Sequence, residues 1–344
     1  MRQVFTYMLI MLVSAGAVAQ DIHFVQFTET PQLINPGQTG VFEGTARVNL
    51  NYRDQWASVD APYRTFGLNY DHRITKKKWK KAHLSVGLAA YRDDAGDLGM
   101  HTTSGVVSIS STLILTREHF LTAGIQGGVL YRGIDMSNAV WGSQYDGDGY
   151  DPTMASGEIN QFNNFISPDV SFGFAWNMNQ PLGIGPFRDL KVRAGTGIFH
   201  LNRPRQKFNL GEDDQLHIRW TLHADAMMGV GSGRSYIVPM FLFQLQGPST
   251  EAVFGGLYRF LLRDAARVTG FVKGGALSIG ATYRWADAIT PIVALEYLWF
   301  RLGISYDVNV SKLSKATGYQ GGLEVSLKFI ASEGFYWTGR QSKN

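Results

Sequence analysis

The sequence predicts an all-β protein: a closed antiparallel transmembrane β-barrel of about 14 strands with a short N-terminal plug-like segment. Three observations predict it. An export signal is followed by no stretch apolar enough for a membrane helix. Strict alternation of apolar and polar residues recurs in segments of membrane-spanning length. The chain also holds 21 Phe, 15 Tyr and 8 Trp in 344 residues, the types that form the aromatic girdles of a barrel.

The signal peptide occupies residues 1–19. Arg2 gives a positive start, Phe5 to Val13 an apolar run, and Ala17-Val18-Ala19 a small-residue cleavage site. The run is too short to span a bilayer as a helix. No later segment offers about 18 uncharged apolar residues in a row. The mean hydropathy of -0.10 excludes a helical membrane protein but not a barrel, whose strands are only half apolar. Cysteine is missing, which suits passage through an oxidising periplasm. The net charge of +4 is modest, and without a basic helix or base-stacking motif it gives no reason to expect nucleic acid as a partner.

Residues 20–43 form the expected plug-like segment at the periplasmic mouth, where Asn35-Pro36 and Thr39-Gly40 are turn formers. The barrel is expected over 44–330. Its first strand alternates Ala46, Val48, Leu50 and Tyr52 with Arg47, Asn49, Asn51 and Arg53. One apolar face and one charged face require two solvents, lipid outside and a polar lumen inside. The pattern returns where Val170, Phe172, Phe174 and Trp176 oppose Ser171, Gly173 and Ala175, and where Leu323, Val325, Leu327 and Phe329 oppose Glu324, Ser326 and Lys328. Strands are expected near 44–54, 63–73, 82–92, 102–115, 120–132, 168–177, 189–200, 217–228, 235–245, 250–262, 274–285, 290–298, 301–310 and 320–330. Each approaches the ~9–11 residues of a tilted membrane strand. Residues 331–344 form a C-terminal tail. A soluble β-sandwich also alternates, but it does not need aromatic residues on the outward face of strand after strand.

An even strand count in the outer membrane puts both termini on the periplasmic side. The longest connection, 133–167, then faces outward. The turn at Lys76, Lys77, Lys78, Lys80 and Lys81 faces the periplasm, beside outer-membrane lipid headgroups or an acidic partner. Inward-facing Arg47, Arg53, Lys191, Arg193, Arg219, Arg259 and Lys328 share the lumen with Asp225, Glu251, Glu296 and Glu324. Charges of both signs in a confined space pair with one another, which favours a filled or constricted lumen over a wide pore.

Catalytic motifs are lacking. The sequence contains no Gly-x-Ser-x-Gly elbow, His-Glu-x-x-His pair or phosphate-binding Gly-x-x-x-x-Gly-Lys-Ser/Thr loop. His217 and His223 share a strand face but stand ~20 Å apart, too far to share a metal. Ser143 and His200 lie in neighbouring outer regions with no motif to join them as a hydrolase. Asp146, Asp148 and Asp151, spaced by glycines, are a candidate calcium site. Against it, Gly157 stands where a calcium loop wants a bidentate glutamate, Glu158 misses by one, and Asp and Gly are ordinary turn formers. No other cofactor is expected.

The segment Asp21-Ile22-His23-Phe24, with Gln26-Phe27, Pro31, Asn35-Pro36, Thr39-Gly40, Asn51-Tyr52-Arg53, Gln55-Trp56 and Pro62-Tyr63, resembles the start of the PorP/SprF family. The likeness continues through Asp94-Ala95-Gly96-Asp97, Ser143-Gln144-Tyr145-Asp146-Gly147, Tyr150-Asp151-Pro152, Asn202-Arg203-Pro204 and Ser305-Tyr306-Asp307-Val308-Asn309. It covers essentially the whole mature chain. The resemblance implies a non-enzymatic outer-membrane barrel of type IX secretion and gliding motility. It implies two sorts of partner: a PorK/PorN-type periplasmic ring, and a secreted adhesin-like surface protein. The lysine turn 76–81 is the candidate contact for the first. The outer loop, with Tyr145 and Tyr150, is the candidate for the second and doubles as a folded lid. The alternative is an outer-membrane channel for a small solute.

Overall fold

The computed structural model describes residues 21–55, 62–74, 81–96, 99–135, 140–157, 164–184, 187–206, 214–231, 234–262, 274–311, 314 and 318–331. Its strands are β1 (Ala46–Gln55), β2 (Tyr63–Ile74), β3 (Ala82–Ala95), β4 (Met100–Ile114), β5 (His119–Gly133), β6 (Phe165–Ile184), β7 (Phe187–Phe199), β8 (Arg205–Gln206), β9 (Asp214–Gln215), β10 (Arg219–Val230), β11 (Ser235–Gln246), β12 (Ser249–Leu261), β13 (Ala276–Arg284), β14 (Ala288–Tyr297), β15 (Phe300–Asn309) and β16 (Gln320–Ala331). Fourteen of them close into one antiparallel barrel, and β8 and β9 form a small separate pair. The seam joins β1 to β16 in unbroken register from Ala46↔Ala331 to Gln55↔Gly322.

All fourteen expected barrel strands are present. The largest departure is β6, which continues past 177 to Ile184. Pro181 reads as a stop in sequence because it cannot donate to a ladder. The β6–β7 register shifts just beyond it, so the strand carries the proline at an irregular end.

The pleat turns successive side chains to opposite faces. Outward, Ile125 is 58% exposed and Trp220 52%; inward, Ser108 and Thr122 have no exposure. A continuous apolar belt of this kind marks a surface that meets lipid, not water. Aromatic groups gather toward its two edges, Phe254, Tyr283 and Trp285 at one and Phe300 with Phe329 at the other. Among the described residues no helix is long and apolar enough to cross a membrane.

The two openings are named here by the seam. The near mouth is where β1 begins and β16 ends; the far mouth is the opposite one. The connection between β5 and β6 and the β8–β9 pair lie at the far mouth. The expected signal peptide, the tail beyond Ala331, and Lys76, Lys77, Lys78 and Lys80 lie outside the described residues.

Candidate functional site: a lumen filled by the N-terminal segment

Residues 21–45 lie inside the barrel, and their local sequence makes them compact. A 3-10 turn (Phe27–Glu29) leads into a single-turn helix, α1 (Pro31–Ile34), and then a second 3-10 turn (Pro36–Gln38). Pro31 and Pro36 open their turns, where φ is preset and the missing N–H would have had no partner. Asn35 accepts the Gly37 N–H at 2.7 Å and so caps the second turn.

A segment this polar needs partners from the wall. Glu324 accepts the backbone N–H groups of Val25 and Gln26 at 2.6 and 2.9 Å. Gln32 donates to the Tyr70 carbonyl, and Asn35 to that of Phe174, at 2.8 and 2.7 Å. In the other direction, Thr221 donates to the Ile34 carbonyl, Arg219 to that of Leu33 and Ser110 to that of Thr39. His223 sits against Asn35 and Gln38. Asp71 accepts the Gly40 N–H while it grips Arg47 in a bidentate pair. Gln32, Asn35 and Thr39 have no exposure at all, so protein occupies the middle of the lumen.

The wall is hollowed to receive this insert. A Cβ built on Gly124 would stand 2.3 Å from the Pro36 oxygen, and one on Gly173 2.0 Å from Asn35 Oδ1. At Gly197 and Gly303 it would stand 2.7 Å from the Ile34 oxygen and 2.2 Å from Gln26 Oε1. The Gly195-Thr196-Gly197 run is such a contact inside β7.

The segment starts at the far mouth and leaves at the near one. Asp21 lies beside His200, just beyond the end of β7, and donates its N–H to Gln246 at the end of β11. Glu29 reaches the near half, where Arg301, Lys328 and Asn49 hold it. Both termini are expected on the periplasmic side; in the fold, Asp21 and Ala331 lie at opposite mouths. The reason is that residues 21–45 run along the lumen and do not simply cover one opening.

At the far mouth, buried His200 places Nδ1 2.9 Å from Asp169 and Nε2 2.5 Å from Asp21. Burial alone would lower the His200 pKa, but the two carboxylates outweigh it and raise the value to about 9. Burial likewise opposes ionisation of Asp21, yet the charges of His200 and Arg219 hold its carboxyl well below the usual range. The ring is therefore an imidazolium that pins the start of the segment to β6. His200 adopts φ 58°, a left-handed conformation that non-glycine residues seldom hold without such anchoring.

Several further lumen charges pair. Arg193 binds Asp225, Arg259 binds Glu296, and Asp307 accepts from both Arg53 and Arg284. Asp307 sits at a register irregularity of β15. Sequence alternation could list these groups but not match them, because partners lie on strands far apart in the chain.

The other candidates are scattered. Lys81 is exposed at the near mouth. In the far loop, Tyr145 and Tyr150 pair across a tight turn and are 59% and 47% exposed, facing solvent instead of packing beneath a lid. Buried Gln144 organises the loop by binding Met154 and Trp141, a role with no sequence signature. Asp146 accepts the Asp148 and Gly149 N–H groups, and Asp151 accepts from Thr153. Among the described residues no three acidic, histidine or cysteine groups are grouped to hold a metal. Ser143 donates to the Ser156 carbonyl, while both nitrogens of His200 are taken by carboxylates.

The fold and its filled lumen define an outer-membrane β-barrel closed by its own N-terminal segment. The chain belongs to the family of type IX secretion system membrane proteins PorP/SprF, whose model matches residues 17–329. No curated protein matches significantly. Among solved structures it is similar to the CymD monoaromatic hydrocarbon channel (TM-score 0.46, 11% identity, covering 89% of this chain and 93% of that one). It is also similar to CdiB from Acinetobacter baumannii (0.42, 10%, 83% and 60%) and to the beta domain of the Bordetella autotransporter BrkA (0.40, 8%, 83% and 98%). These likenesses carry no functional weight.

Two outcomes are expected. Gly124→Ala should lower the thermal midpoint by the equivalent of about 1–3 kcal/mol, the usual scale of overpacking. Gly105→Ala, where a Cβ meets nothing within 4 Å, should not; equal midpoints for the two would refute the tailored fit. The second concerns pH. A histidine whose pKa is raised by folding stabilises fully below its unfolded value of about 6.5 and loses that contribution as pH climbs to about 9. The difference in thermal midpoint between wild type and His200→Gln should therefore be greatest near pH 6 and vanish above pH 9.

Proposed function

We propose that this barrel is an accessory of a type IX secretion machine that acts by holding other proteins at the outer membrane, without catalysis and without conducting solute. The observation that carries the reading is the filled lumen. Gln32, Asn35 and Thr39 are wholly buried at its centre, bonded to strands around the wall. A channel would require that whole network to be broken. Membership of the PorP/SprF family supplies the setting.

Long connections of outer-membrane barrels face the exterior, so the far mouth is taken as extracellular and the near mouth as periplasmic. On that orientation the loop around Tyr145 and Tyr150 meets a secreted adhesin-like surface protein, and so serves gliding. The turn containing Lys76, Lys77, Lys78, Lys80 and Lys81 meets a PorK/PorN-type periplasmic ring through its positive charge.

Deletion of the gene should remove one or two large surface proteins from the outer-membrane and culture-fluid proteomes. Loss of the whole type IX cargo would make the barrel a core component instead, and unchanged secretion with altered solute uptake would favour the channel. Charge reversal across Lys76–Lys81 should abolish co-purification of the periplasmic ring while the barrel still assembles. Retention of the ring would place that contact elsewhere.

A further inference from the structure

Below the N-terminal segment, the near half of the lumen contains a cavity of about 440 Å³, within the range of small-molecule sites. Its lining is unusual for a barrel interior. Among the described residues seven Lys or Arg side chains line it with four carboxylates, and Asp71 beside them holds Arg47. The pairings are also uneven. Arg301 and Lys328 share the single carboxylate of Glu29. Among the described residues Lys191 pairs with Glu43 alone, which is 75% exposed and can be displaced at little cost. Arg301 Nε, although enclosed, faces the Glu296 carboxylate, which Arg259 already holds, at 3.6 Å, beyond hydrogen-bond reach, and the enclosed Asn177 Oδ1 has no donor.

An apolar strip crosses the same chamber. Phe27 and Ile34 of the N-terminal segment pack on Met240, Leu242 and Leu257 with Val238 beside them. The strip continues beyond that cover, so Met227, Val238, Met240 and Leu257 reach the cavity wall. Lumen positions of membrane barrels are normally polar, and apolar groups in a water-filled mouth gain nothing unless something covers them. Arg193 and Lys191 on β7 flank the strip on one side; Arg259, Arg301 and Lys328 on β12, β15 and β16 flank it on the other.

We propose that this cavity binds a small amphipathic anion, with a carboxylate or phosphate head held by the cationic ring and an apolar body laid on the strip. The head would replace Glu43 on Lys191 and supply the acceptor that Arg301 Nε lacks. The proposal does not depend on the secretion reading, because it rests only on the charge and shape of the near mouth.

The test is calorimetric titration of the full-length protein in a neutral detergent, with heats into detergent alone subtracted. The probes are octanoate and octyl phosphate below their micellar concentrations, with octanamide and acetate as controls for head and tail. Saturable one-site binding of at least one anionic probe is expected, at least tenfold tighter than either control. Lys191→Gln and Arg259→Gln should each weaken it about tenfold, and Met227→Trp, which fills the cavity, should abolish it. All three variants must retain the heat-modifiable gel shift of a folded barrel. A preference between the two probes would identify the head as carboxylate or phosphate, and equal affinity would support the shared anionic chemistry. Absence of saturable binding, binding of octanamide as tight as octanoate, or affinities unchanged in the folded variants would overturn the proposal.

Discussion

The structure depends on one constraint: polar groups turned away from water must be paired. On its outer face the barrel meets it by closing the sheet, because a closed ladder leaves no strand edge in lipid. On its inner face the fourteen strands leave Arg, Asp, Glu, Asn and Ser crowded into a narrow space, and the wall alone does not match them. Residues 21–45 supply many of the missing partners. They bring short turns whose free N–H and C=O groups are answered by Glu324, Thr221, Arg219 and Ser110. They also bring carboxylates, Asp21 and Glu29, to the wall cations Arg219, Arg301 and Lys328. The segment is thus an internal surface of the fold and not an appendage to it.

Much of this was legible in the sequence, for physical reasons. A period of two combined with membrane-spanning length has few other solutions, so the strands and the faces of Arg47, Asn49 and Asn51 follow from alternation alone. The wall glycines were not legible in the same way. Gly124 or Gly173 is recognisable as a contact only when the opposing Pro36 or Asn35 is known, and those contacts join distant parts of the chain. The role of His200 was hidden for the same reason. Its partners, Asp21 and Asp169, both precede it in sequence, by 179 and 31 residues. The path of the segment from one mouth to the other was also out of reach, because turn chemistry at Asn35 and Gly40 fixes local shape and not direction.

Electrostatic organisation differs between the two ends. At the far mouth the charges are buried and mutually satisfied, as with His200 between two carboxylates or Asp307 between Arg53 and Arg284. At the near mouth the buried Arg47–Asp71 pair stands beside partly exposed ones, Lys191–Glu43, Arg193–Asp225 and Arg259–Glu296, and Glu29 is shared by two cations. Buried matched pairs fix geometry, whereas exposed mismatched ones exchange partners readily. One end of the molecule is therefore built to stay as it is, and the other retains freedom to respond.

The length of the loops closed by the insert bears on how the barrel is made. Val25 meets Glu324 across 299 positions of chain, so residues that emerge first from export are fixed by nearly the last. Contacts of such separation form late, since the entropy of closing the loop must be met before they contribute. The N-terminal segment is covalently continuous with β1, and β1 zips to β16 along its whole length. The sheet must therefore curl around the segment before that seam shuts, or the segment must be fed into a finished cylinder from the near mouth. On either route the sealed barrel ends with its interior occupied, so an unfilled cylinder is an assembly intermediate and not a resting form.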